Sequence, residues 1–190
     1  MTTQTTSTEL ALAPGLWTLD PNHSGVHFRI RHLGLSNVRG RFDRFTASLG
    51  VGPRIEDTSV EATIEMASVD TNQPDRDAHL RSTDFFSAEQ HPEMTFRSTA
   101  VRARSDGEYE MTGDLTINGI TRSVTLEVEF NGIEDFPGDG KTHAGFSATT
   151  EINRDDFGVD FNMPLGIDKV GLGQRVKVEL EMQFVAPAAA

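Results

Sequence analysis

Residues 20–42, DPNHSGVHFRIRHLGLSNVRGRF, hold three of the six histidines, His23, His27 and His32, together with four arginines. A metal site is the first chemistry to test. His23 and His27 are four apart, a spacing that converges two imidazoles on a helix. Gly25 separates them, however, and VHFRI alternates polar with apolar. On a strand His27 turns away from Phe28, while His32 shares the parity of Val26, Phe28 and Ile30, so the three rings diverge. Ser24 adjoins His23, but neighbours on an extended chain face opposite ways, and there is no G-x-S-x-G elbow. GLGQRV at 171–176 is half of a dinucleotide fingerprint and leads into a strand rather than a helix. Asp155, Asp156 and Asp160 lack calcium-loop spacing. The residues therefore nominate no catalytic group and no metal ligand.

The arginines offer a different chemistry. Arg29, Arg31, Arg39, Arg41 and Arg44 lie within residues 29–44, with Asp43 the only acid among them. If RIRHL and NVRGRF pair as a hairpin, the first four share its outer face, opposite Phe28 and Phe42. Such a face suits capture of an anionic headgroup or partner. It equally suits cross-strand pairing with Glu61 and Glu65 of an adjacent strand, and the second reading is favoured because exposed charge ladders are common on sheets.

The elements that carry these residues read as strands. SVEATIEM sets Val60, Ala62, Ile64 and Met66 against Glu61, Thr63 and Glu65. YEMTGDLTI, VTLEVEF, AGFSATTEI and VKVELEMQF repeat the device, which marks antiparallel sheet with one dry and one wet face. Asn118-Gly119 signals a tight hairpin, Gly34 a short connection and Asn131-Gly132 another. About eight strands result, at the spacing of a sandwich or barrel. Residues 72–90 lack alternation and predict a short helix or two in a crossover. Residues 154–173 form a Gly-rich apolar stretch of the kind that serves as a lid or plug. The inward Gly40, Ala47, Ala62, Gly113, Ala144 and Ala148 either leave room inside a barrel or permit a tight taper, and both readings stay open.

Composition narrows the function classes. The 190-residue chain is long enough for one domain with one core, and carries a formal charge of −12. Nucleic-acid binding needs a basic stripe that this balance opposes, and general attraction to an anionic membrane is opposed likewise. There are no cysteines, so disulfides, thiolate zinc sites and cysteine nucleophiles are excluded. No apolar run is long enough to span a bilayer. MTTQTTSTELALAPG lacks the features of a signal peptide, so the expected location is cytoplasmic. The expected organisation is a mobile tail over 1–13, a single domain over 14–186 and a short tail over 187–190.

Several motifs in order, WTLDPNHSGVHFRIRHLGLSNVRGRF at 17–42, SVDTNQPDRDAHLRSTDFF at 68–86, HPEMTF at 91–96, GDLTINGITRSVTLEV at 113–128 and RDDFGV at 154–159, resemble the YceI-like family of lipocalin-like polyisoprenoid-binding proteins. The resemblance implies an all-β, eight-stranded antiparallel barrel with a helical crossover near residues 75–90. It implies an elongated cavity holding an isoprenoid such as a polyprenyl phosphate or a quinone tail, with no catalytic residues and no required cofactor. Many relatives are periplasmic, and a homodimer fits the family. On that footing the inward residues Phe28, Ile30, Phe42, Ile64, Met66, Phe96, Leu115, Ile117, Val128, Phe146, Ile152 and Leu180 are the expected lining. Phe85, Phe86, Phe157 and Phe161 are expected to close the ends, and His32, Arg76, His79 and Arg81 to meet a headgroup. The expected function is non-enzymatic carriage, storage or sequestration of a long apolar molecule. An enzyme or haem protein using the same cavity, and a scaffold for a protein partner, are the alternatives.

Overall fold

The computed structural model describes residues 12–166 and 171–188. Eleven strand segments form one antiparallel sheet: β1 (Gly15–Leu19), β2 (Gly25–His32), β3 (Ser36–Phe42), β4 (Phe45–Val51), β5 (Ser59–Glu65), β6 (Val69–Asp70), β7 (Glu93–Ser105), β8 (Glu108–Ile117), β9 (Ile120–Phe136), β10 (Lys141–Asn153) and β11 (Leu172–Val185). The first six are halves of three bent staves. β1 and β2 are interrupted by a short 3-10 turn at Pro21–His23, and β4 pairs with β1 while β3 pairs with β2. β5 pairs with β4 and β6 with β3, which completes the third stave. Three bent and five continuous staves make an eight-stranded barrel, each next to its neighbour in sequence, and β11 closes it against both β1 and β2.

Period two decides which side of each stave is wet. Val60, Ala62 and Ile64 of β5, Met111, Leu115 and Ile117 of β8, and Val176, Val178 and Leu180 of β11 all face the interior. The intervening Glu, Thr and Arg residues form the outer surface, as an antiparallel sheet with one solvated face requires. Asn118 and Gly119 carry φ of 52° and 72°, the left-handed pair that a two-residue hairpin between right-twisted strands demands.

The crossover between β6 and β7 holds one α-helix, α1 (Pro74–Arg81). It is shorter than the expected 75–90 segment. Gln73 caps it by accepting from the Arg76 N–H at 2.6 Å, and Ser82, in extended conformation, ends it. Residues 83–92 then run as turns. No described helix is long and apolar enough to cross a membrane.

The packed domain includes residues before 14. Leu12 is buried, and the Trp17 indole N–H donates to the Ala13 carbonyl at 2.9 Å. Residues 1–11 of the expected tail, and 189–190 at the other end, lie outside the described residues.

Two of the four outer arginines of the hairpin, Arg29 and Arg41, are ion-paired, though with other partners than expected. Arg29 reaches Glu179 of β11 at 3.4 Å and Arg41 binds Asp43 and Asp70, whereas Glu65 serves Arg44 and Glu61 serves Arg97. The reason is topological: the hairpin β2–β3 is flanked by β11 and β6, not by β5.

Candidate functional site

One end of the barrel is filled. Trp17, with no exposed surface, forms a cluster with Leu12, Leu49, Val51, Ala144 and Phe184. Above this floor a cavity of about 550 Å³ runs toward the opposite end. Leu49 and Phe184 belong both to the floor cluster and to the cavity wall. The question of a full or a hollow barrel is thus answered by position along its axis.

Each expected lining residue, Phe28, Ile30, Phe42, Ile64, Met66, Phe96, Leu115, Ile117, Val128, Phe146, Ile152 and Leu180, borders this cavity. The inward glycines do not supply its volume. A Cβ at Gly40 would meet the Phe28 ring and Thr71, and one at Gly113 would meet the Phe96 ring. The space freed by each missing side chain is taken by an aromatic ring.

Phe85, Phe86, Phe157 and Phe161 also border the cavity, but all four sit at the same end. They come from the crossover and from the segment after β10, both of which leave the barrel on that side. There Phe85 and Phe161 pack with tilted rings 5.2 Å apart, and the His79 ring stands edge-on to both at 5.0 and 5.1 Å. This aromatic contact is where the two covering segments meet. Asn118 at the hairpin turn holds the crossover by donating to the Phe85 carbonyl at 2.8 Å. The Trp17 cluster, absent from the expected closures, shuts the other end.

Polar groups at the mouth are mostly committed to structure. Buried Asp77 accepts from the Thr71 N–H at 2.9 Å and from its hydroxyl at 2.5 Å. Arg76 grips the same residue, Nε to the hydroxyl at 2.7 Å and Nη2 to the carbonyl at 2.8 Å. These bonds explain the polar DRDAHLR stretch, in which Asp77 and Arg76 fasten α1 to the end of β6. His79 borders the cavity and pairs with Asp84 at 2.8 Å. His32, half-buried, borders it from the end of β2, whereas His27 is exposed and His23 binds Asp20 at 2.8 Å, so the rings do diverge. Arg81, expected beside a headgroup, does not border the cavity: it ends α1 about half a turn past His79, which puts it on a different face of the helix.

Arg154 was not singled out from the sequence, where flanking acids make it look like part of a solvated run. It is buried at the cavity wall. Its Nε donates to the Gly173 carbonyl at 2.9 Å, and Nη1 to the Val159 and Phe161 carbonyls at 2.5 and 2.9 Å. One guanidinium thereby folds residues 159–161 back over the mouth. Asn162 continues the work, its amide bridging both backbone groups of Leu172 at 2.8 and 3.0 Å. Deeper in the wall, burial pushes the Tyr109 hydroxyl above its ordinary pKa, with Asp106 adding to the effect. Buried Thr58 presents a hydroxyl with no protein partner to the same space.

The charge of the wall is one-sided. Among the described residues the ionisable ones that border it are Arg76, Arg154, His27, His32, His79 and Tyr109, and no Asp or Glu does, although the chain carries 29 acids. The interior is otherwise hydrocarbon and aromatic.

Comparison with known proteins places this architecture. The YceI-like domain model matches residues 17–184. A UPF0312 protein of Staphylococcus epidermidis is 40% identical over 167 residues, covering 87% of this chain and 94% of the relative. Burkholderia cenocepacia BcnA shares the fold with a TM-score of 0.76 at 23% identity, over 87% of this chain and 98% of that one. A polyisoprenoid binding domain from Saccharophagus degradans superposes with a TM-score of 0.66 at 14% identity, over 90% and 98%.

Proposed function

The chain belongs to the YceI-like family, and from that premise and the cavity we propose that it binds a long apolar molecule of isoprenoid type without transforming it. The observation that carries the proposal is the 550 Å³ interior walled by hydrocarbon and aromatic side chains. Burying a methylene contributes about 0.8 kcal/mol, so each five-carbon prenyl unit offers about 4 kcal/mol of gross stabilisation. Affinity then needs few polar contacts. Selectivity falls to cavity length and to the groups at the mouth. A headgroup that accepts hydrogen bonds, a phosphate or a quinone carbonyl, meets His32, His79 and the edge of Arg76 there. The solved polyisoprenoid binding domain with this fold supports the same ligand class. A carrier rather than a catalyst is supported by the engagement of Arg76 and Arg154 with backbone carbonyls, which leaves them as struts.

The test is native mass spectrometry with organic extraction of the protein purified from its own host. A co-purifying long-chain molecule in near-equimolar amount is expected. A protein that emerges empty, and takes up neither a prenyl phosphate nor a long-tailed quinone when these are added, would sink the proposal.

A further inference from the structure

Resting on that reading, we propose that the mouth of the barrel docks on the surface of an anionic lipid bilayer, so that the cargo passes between membrane and cavity without crossing water. Four of the seven large hydrophobic residues exposed among the described residues crowd this one end: Leu33 (43%), Leu35 (79%), Met163 (60%) and Leu165 (45%). They belong to two facing lips, the β2–β3 turn and the segment after β10. The lips are tied through Gly171, whose carbonyl accepts from the Leu33 N–H at 2.8 Å and whose N–H donates to the Met163 carbonyl at 3.0 Å. Leu33, Met163 and Leu165 also border the cavity, so the exposed apolar rim and the opening coincide. Leu33 stands at φ 55°, a left-handed conformation that a leucine adopts at a cost.

The partner's chemistry follows from the charge beside this rim. Arg31 and Arg39 lie on the outer face of the same hairpin, exposed and without an ion-pair partner among the described residues. Arg31 directly precedes His32 at the rim. Arg39 sits three residues from Ser36 at the start of β3, about 10 Å down the stave, roughly one Debye length from a surface touching the rim. The acids of this end belong to the covering segments and not to the β2–β3 hairpin: Asp84 is held by His79 and Asp155 by Gln174, while Asp75, Asp156 and Asp160 are exposed. Apolar tips flanked by cations fit a bilayer of anionic headgroups. The overall charge of −12 opposes any other face approaching such a surface, so the contact is orientation-selective.

Flotation of the full chain with vesicles tests this, using phosphatidylcholine alone or mixed with phosphatidylglycerol. Uptake of the neutral apolar dye N-phenyl-1-naphthylamine, without vesicles, reports separately on the cavity. Wild type is expected to float with mixed vesicles, to float far less with neutral ones, and to be released by salt. An arginine at an anionic surface contributes about fivefold in affinity, so R31E/R39E is expected to bind at least about 25-fold more weakly. Leu35→Asp is expected to lose at least tenfold, and both variants to keep dye uptake and melting temperature. Wild type that takes up dye but does not float, or variants that float as wild type does, would overturn docking. Flotation without dye uptake would overturn the cavity reading and leave docking in place; the absence of both would overturn both.

Discussion

Trp17 and Phe28 are inward-facing aromatic residues on the two halves of one bent stave, β1 and β2, and they meet opposite surroundings. Trp17 is enclosed on every side by Leu12, Leu49, Ala144 and Phe184. Phe28 lies along Gly40, leans on Phe42 at a centroid distance of 5.6 Å, and leaves its remaining face to the cavity. The difference teaches how one barrel can be both stable and hollow. Full packing is concentrated at the end that holds β1, and the staves above it are then free to stand apart.

Removing the floor should have the largest effect. Trp17→Ala is expected to cost about 3–5 kcal/mol in chemical denaturation, because the surrounding groups already touch one another and close only partly over the void. Leu180→Ala, in the hollow half, is expected to cost about 2 kcal/mol, the low end for such truncations, since the leucine already faces space on one side. Equal costs would erase the distinction between the two halves.

Gly40→Ala probes the wall rather than the floor. The new methyl must displace the Phe28 ring, and overpacking of this kind costs about 1–3 kcal/mol. The displaced ring has only the cavity to enter. Dye or lipid capacity should therefore fall more than stability does, which paired binding and unfolding measurements would reveal.

The smallest effect is expected from pH. Burial, the largest single influence on Asp20, raises its carboxyl pKa, but hydrogen bonds from His23 and the Asn22 N–H, with the charges of His23 and His143, outweigh it and leave the value lowered. A carboxyl lowered in the folded state contributes stability that is present above its unfolded value, near 4, and is lost as pH falls through the folded value. Asp20→Asn should flatten the acid limb of the stability curve by removing, at neutral pH, the stability that the ionised carboxyl supplies, and leave the acid end nearly unchanged. An unaltered acid limb would show that Asp20 is not the group responsible.

The alternation of Val60, Ala62 and Ile64, or of Val176, Val178 and Leu180, made the inner face of each stave legible before any coordinates, since a strand allows only two directions. The motifs at 17–42 and 113–128 carried the family and with it the eight staves. What alternation could not convey is how far apart opposite walls stand. Gly40 and Gly113 read the same whether they border empty space or shelter Phe28 and Phe96. Arg154 was hidden for a related reason: its partners are the carbonyls of Val159, Phe161 and Gly173, and backbone groups leave no mark on a side-chain pattern. Arg81 misled because DRDAHLRS is polar throughout, and only the helix geometry separates the face bearing Arg76 and His79.

The seam of the barrel carries a consequence for how the chain reaches this state. β11 closes on β1 and β2, and the Gln183 N–H donates to the Ser24 hydroxyl at 3.0 Å, linking residues 159 positions apart. Loop closure of that span must be met before the seam returns any stabilisation, which makes it a slow event in folding. During synthesis the first stave therefore waits with one edge unpaired until β11 has left the ribosome, and a nascent chain truncated before β11 is expected to expose that edge to aggregation.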